Sequence, residues 1–269
     1  MDGSTGTDAF PPGLTIRQTR QALFHRLMSP SPAVVVVRAG TKGLLTARGR
    51  FEVPEGAAIL IPGQTPLSIE NRPGPSTFYR AEALPLTWEV VERVYDRGAI
   101  TRTGPERLGP VTLSPGMEEA FLAAAHAQSD PKAYPEKVRA HRLGEILLWL
   151  AEEGAVFGPQ PQRLPSHRVR DVILEDPSYP WKAGEVARRL AMSEPTLRRQ
   201  LAVEGETFTG LLADTRMTQA LSLLQTVDWT VEAVAAAVGY ASPSRFAVRF
   251  RSRFGLAPSE IRGDVRGGG

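Results

Sequence analysis

The feature that most constrains this chain is a pattern that occurs twice near its C-terminus. In KAGEVARRLAMSEPTLRRQLAVEG (182–205), Val186, Ala187 and Leu190 share one face of a short helix. A three-residue turn follows, and Ser193 can cap a second helix that turns Leu197 and Leu201 inward. The same order returns in TVEAVAAAVGYASPSRFAVRFRSRFG (230–255). Val231, Val234, Ala235 and Val238 step i, i+3, i+4, i+7, and Gly239 offers a left-handed exit from the helix. Ser242 then caps the next helix with Pro243 at its first position, and Phe246, Phe250 and Phe254 make its inward ridge. Ser193 and Ser242 lie 49 residues apart, and each unit closes near a glycine, Gly205 or Gly255. This is helix-turn-helix composition, twice over.

The second helix of each unit is basic on its outer face. Residues 239–255 hold Arg245, Arg249, Arg251 and Arg253 and no acid. Taken alone, an arginine-rich helix face is a solvated face; the doubled motif is what turns the reading towards phosphates and bases. Bulk charge does not announce it. The whole chain carries only +3, and from residue 170 onward thirteen Lys and Arg face twelve Asp and Glu. Between the units, FTGLLADTRMTQALSLLQTVD (208–228) keeps helical spacing through Phe208, Leu211, Leu212, Ala220, Leu223 and Leu224. A rigid helix there would fix the separation of two readers, and a spacing of about 34 Å would set both into successive major-groove segments on one DNA face.

The N-terminal part reads differently. VVVVRAG (34–40), GRFEVPEGAAILIPGQ (49–64) and FYRAEALPL (78–86) are short apolar runs bounded by Gly, Pro and Asn, so residues 20–110 are expected to be β, as a small barrel or sandwich. Helical period takes over at 116–153. Met117, Ala120, Phe121 and Ala124 mark one helix. Ala140, Leu143, Leu147 and Leu150 stripe a second over 135–152, which packs on the barrel or pairs with a second copy as a homodimer. GAVFGPQPQRLPS has linker composition. The expected fold class is therefore α+β multidomain. An N-terminal barrel with two helices spans 1–153, a linker 154–167, and an all-α domain with two helix-turn-helix units 168–265.

Several classes are set aside. No run approaches 18 apolar residues, and the acidic, Gly/Pro-rich N-terminus has neither the basic nor the apolar part of a secretory signal, so a cytoplasmic protein with no membrane contact is expected. Zero cysteines exclude disulfides and thiolate chemistry. Of His25, His126, His141 and His167 only His25 lies in the β region and no His-x-His occurs, so no metal site is expected. There is no G-x-S-x-G, P-loop or G-x-G-x-x-G, hence no enzyme and no cofactor is expected.

The C-terminal residues resemble the AraC/XylS family of bacterial transcription regulators. RRLAMSEPTLRRQL, Gly205, Phe208, Arg216, Ala220 and LSLL stand where that family has its first unit and connecting helix. GYASPSRFAVRFRSRFGLAPSEIR (239–262), with Gly255, Pro258, Ile261 and Arg262, stands where it has its closing signature. The N-terminal layout is similar to the family's cupin-like effector and dimerisation domain. The resemblance implies a sequence-specific regulator, an activator, that binds double-stranded promoter DNA and meets RNA polymerase. It implies DNA contacts at Ser193, Glu194, Pro195, Arg198 and Arg199, and at Ser242, Pro243, Ser244, Arg245, Ala247, Val248, Arg249 and Arg251. Val248 stands where an arginine is frequent, so the second helix is expected to contribute mainly phosphate contacts through Arg245, Arg249 and Arg251. As in relatives that take fatty acids or other anionic effectors, His25, Arg38 and Arg80 are the candidates to pair with a carboxylate. A regulatory protein is the alternative effector. The alternative to the whole reading is a ligand- or partner-binding module with weak, non-specific DNA binding.

Overall fold

The computed structural model describes residues 13–46, 49–75, 78–96 and 107–262. The acidic N-terminal stretch and the residues after 262 lie outside that set. Eight strands open the chain: β1 (Leu14–Gln18), β2 (Ala22–Met28), β3 (Ala33–Ala39), β4 (Thr41–Thr46), β5 (Gly49–Val53), β6 (Ala57–Ile61), β7 (Pro66–Arg72) and β8 (Tyr79–Pro85). Helix α1 (Trp88–Asp96), the short β9 (Val111–Thr112) and helices α2 (Pro115–Ser129) and α3 (Glu136–Glu152) follow.

The strands form two antiparallel sheets, β1-β8-β3-β6-β9 and β2-β7-β4-β5. Among the described residues the sheets are not closed on each other, so the expected barrel is an open two-sheet layer. Strand β3 shows why its run of valines is uninterrupted. Val35 and Val37 face the second sheet, packing with Leu44, Ile59, Leu67 and Tyr79. Val34 and Val36 face the other way, onto Leu60, Leu84 and the three helices. A strand covered on both faces needs apolar residues at every position.

The stripe of Ala140, Leu143, Leu147 and Leu150 is buried with Phe121 and Phe157 in the chain's own core. That stripe is not available to a second copy. The outer face of α2 and α3 presents Leu122, Val138, Leu148 and Trp149 instead. Helix α1 falls in the region read as all β. Its WEVVERVYD buries Val90, Val91 and Tyr95 at helical spacing. Part of the linker segment is packed too, with Ala155 and Phe157 in the core and Val156 bridged to Arg107.

The remainder is helical: α4 (Pro165–Glu175), α5 (Ala183–Arg189), α6 (Glu194–Val203), α7 (Phe208–Thr226), α8 (Val231–Ala237), α9 (Pro243–Phe254) and α10 (Pro258–Arg262). Helix α4 starts inside the segment expected as linker. Helices α4, α5, α6 and the start of α7 enclose one core around Val169, Val186, Leu197, Leu201 and Leu211. The end of α7 with α8, α9 and α10 encloses another around Leu224, Val234, Phe246, Phe250 and Ile261. The second core also takes in Ala22 and Phe24 of β2. The ring of Phe24 meets that of Phe254 edge-on at 5.7 Å.

Candidate nucleic-acid interface

Each unit is built the same way. Leu190 caps the C-terminus of α5 and Val238 that of α8, and in both the next residue takes a left-handed backbone, Ala191 at φ 56° and Gly239 at φ 79°. A capping serine follows. Ser193 Oγ accepts the Thr196 amide at 3.3 Å, and Ser242 Oγ accepts the Arg245 amide at 3.3 Å. Each cap fixes where its helix begins and therefore which residues lie outward. Leu197 and Leu201 pin α6 inward; Phe246, Phe250 and Phe254 pin α9. Helix α7, 19 residues and so about 28 Å long, separates the two units.

On α6 the outward residues are Pro195, Arg198 and Arg199, with Glu194 half-buried at the start. Arg198 is held by Glu194 one turn back, at 2.6 Å. Among the described residues no ion pair or hydrogen bond engages the Arg199 guanidinium, which stands opposite the leucine ridge. On α9, Pro243, Ser244, Arg245, Val248, Arg249, Arg251 and Ser252 are exposed, whereas Ala247 is half-buried. The Arg245 and Arg249 guanidinium groups likewise have no partner among the described residues. Arg251 lies 3.4 Å from Glu260. The Ala257 amide, with Arg20 and Arg251 nearby, holds the Glu260 carboxyl below its usual range.

Arg253 does different work. It turns away from this face and donates to the carbonyls of His25 at 2.9 Å and Arg26 at 3.3 Å, and to Asp214 of α7 at 2.8 Å. Asp214 also receives Arg170 of α4 at 3.0 Å. Three segments of the C-terminal part and one N-terminal strand meet at this pair of residues. Its signal in the sequence is the absence of Arg253 from the outward arc that Arg245, Arg249 and Arg251 define.

The three effector candidates are not brought together. His25 is exposed on the four-stranded sheet, its Nδ1 3.5 Å from Ser68 Oγ. Arg38 and Arg80 belong to the five-stranded sheet. Arg80 is exposed, and Arg38 is engaged by Glu82 and Glu118 at 2.8 Å each, beside the Phe121 ring. A group that the sequence reading missed lies between the sheets. Lys42 of β4 is 3% exposed and donates to Asn71 Oδ1 at 2.8 Å. Asn71 donates to Gln18 Oε1 at 3.1 Å, and that same oxygen accepts Gln225 of α7 at 2.9 Å. The Lys42 ammonium also lies over the Tyr79 ring, and the buried Tyr79 hydroxyl finds no partner among the described residues. Burial without a counter-charge lowers the Lys42 amine to about 7 and raises the Tyr79 phenol. The parity of β4, where Leu44 faces the core, was the available signal: Lys42 is two residues before it.

A cleft of about 440 Å³ opens along α4 and α5, but its Arg163 is paired with Asp171 and its Arg189 with Glu175. Among the described residues no three His, Cys, Asp or Glu cluster to hold a metal, and no helix is long and apolar enough to cross a membrane.

A family model described as a helix-turn-helix domain matches residues 186–264. The chain is 36% identical over 101 residues to the HTH-type transcriptional regulator YdeO of Escherichia coli K12, covering 38% of this chain and 40% of that one. It is 26% identical over 195 residues to the transcriptional regulator SirC of Salmonella typhimurium, covering 65% and 66%. The matched stretch is thus under half of the first relative and about two thirds of the second. The crystal structure of ToxT from Vibrio cholerae superposes with a TM-score of 0.59 at 14% identity, over 92% of this chain and 95% of that one. A further ToxT structure, with an unsaturated fatty acid bound, gives 0.59 at 15% identity. Those two likenesses are of fold, and they extend through the sheets as well as the helices. Both helix-turn-helix units are seen in place within the matched residues, and the chain carries a helix-turn-helix domain over 186–264.

Proposed function

We propose that this protein is a sequence-specific transcription regulator that reads a bipartite site in promoter DNA. One observation carries the reading: two capped helix-turn-helix units expose α6 and α9, and Arg199, Arg245 and Arg249 have no partner among the described residues. Arginines left unpaired on a recognition helix are available to phosphates and to guanine edges. The regulators YdeO and SirC, which share this part of the sequence, support it. Retention of sheared genomic DNA on the purified full-length chain, followed by sequencing, is the test. Enrichment of a few promoter regions sharing a two-part motif supports the reading. Uniform retention that disappears with modest salt means phosphate contacts alone and overturns it.

The finer reading is an activator whose N-terminal sheets take an anionic effector. The buried Lys42, with one hydrogen-bond acceptor and no counter-ion among the described residues, and the orphan Tyr79 hydroxyl are better placed to receive a carboxylate than His25, Arg38 and Arg80. The fatty acid in ToxT supports the class of ligand. Titration with a long-chain unsaturated fatty acid checks it: binding by the wild type and its loss in Lys42→Met is the expected result. Contact with RNA polymerase, and pairing of two copies through the outer face of α2 and α3, complete the proposal.

A further inference from the structure

Arg199 and Val248 hold the same position in the two units. Each lies six residues after its capping serine, and each stands on the side of its helix opposite the buried ridge. At that position α6 presents a guanidinium and α9 presents an isopropyl group, 73% exposed. Among the described residues, Val248 is not part of any apolar core. A β-branched residue at an exposed mid-helix position is a poor helix former and gains no packing in return. Around it the helix is polar and basic: Ser244 and Ser252 lie one turn to either side, and Arg245, Arg249 and Arg251 flank the row. This is a small apolar spot in a cationic frame. The major groove offers a matching feature, the thymine 5-methyl group, the apolar mark on an otherwise hydrogen-bonding edge.

We infer that Val248 is a specificity-determining residue of the α9 half-site, making apolar contact with the 5-methyl group of a thymine while the surrounding arginines hold the backbone. The inference rests on the proposed DNA reading. It adds a base contact to a helix expected to grip mainly phosphates, and it assigns the two half-sites different chemistry: a hydrogen-bonded base under α6 and a methyl-bearing base under α9.

The experiment uses the full-length chain and the motif enriched from a random duplex library. Each thymine of that motif is replaced in turn by deoxyuridine, which removes the methyl and keeps the pairing. At one position in the α9 half-site, affinity should fall about fourfold, the scale of one buried methyl. Val248→Ala should lose a similar factor on the thymine duplex and lose nothing further on the uracil duplex. Replacing that T·A pair by C·G and then by 5-methyl-C·G should recover part of the loss for the wild type alone. Failure to enrich any motif overturns the DNA reading and this inference with it. A well-defined motif whose affinity is indifferent to uracil, or whose uracil effect persists in Val248→Ala, leaves the DNA reading standing and overturns the inference. Because Val248 is surface-exposed, the variant folds, and its melting curve provides the control.

Discussion

Arg199, Arg251 and Lys42 are single residues with separable consequences. Arg199→Ala should relax preference at one base pair and weaken specific binding by about 1–3 kcal/mol, while binding to random DNA changes little; competition between specific and random duplexes measures both. Arg251→Ala should weaken all DNA alike and lower the slope of log affinity against log salt by about 1. Lys42 acts on stability. Its folded-state pKa, about 7, lies below the unfolded 10.5. The unfolded chain therefore binds more protons between those values, and stability contributed by this group rises with pH through that window. Below pH 7 the full cost of a buried ammonium is present, with a ceiling of about 5 kcal/mol. Lys42→Met should melt higher than wild type at about pH 6.5, and the gap should close as pH approaches 10. A gap independent of pH would place the amine elsewhere than in the dry layer between the sheets.

Elements in this fold are set by their ends. Ser193→Ala and Ser242→Ala should each cost about 1 kcal/mol in chemical denaturation. The glycines separate more sharply. Gly205 has φ 74° with open space around it, so Gly205→Ala meets only backbone strain, about 1–2 kcal/mol. Gly239 has φ 79°, and a Cβ there would lie 2.7 Å from the Arg216 guanidinium and 2.9 Å from the Ser178 carbonyl. Arg216 itself is tied to the carbonyls of Pro177 and Tyr179. Gly239→Ala should therefore cost about 2–4 kcal/mol, clearly more than Gly205→Ala in the same denaturation experiment. These ends are also what made the C-terminal part legible. Serine caps, a left-handed glycine and ridges at four-residue spacing are local signals, and every helix they mark is where the sequence puts it. Helix α1 is the exception: Val90, Val91 and Val94 suit a strand by residue type, and the helical spacing of Val90, Val91, Val94 and Tyr95 spans only nine residues. The open sheets were read as a barrel because strand content is local and closure is not.

For the whole molecule, the informative contact is the one between β2 and α9. Arg253→Ala removes three hydrogen bonds at once and leaves Asp214 with Arg170 alone. We expect a loss of about 1–3 kcal/mol and faster amide exchange along residues 22–28, with exchange in α6 unchanged. The sequence sets Arg253 off the outward arc of α9 but does not name its partner, because Phe24 and its neighbours read as ordinary residues of a strand. The N-terminal candidates His25, Arg38 and Arg80 were chosen by residue type, whereas the polar chain through Lys42, Asn71, Gln18 and Gln225 depends on four elements meeting. The docking is unequal. Helix α9 is fastened to β2, while among the described residues no hydrogen bond or ion pair ties α5 or α6 to a strand. One reader is set into the wall and the other overhangs from α7, like a calliper with a single fixed jaw. On the proposed DNA reading, a displacement entering through β2 would move one jaw against the other, and DNA would register it first in the number of base pairs between the half-sites rather than in the letters of either.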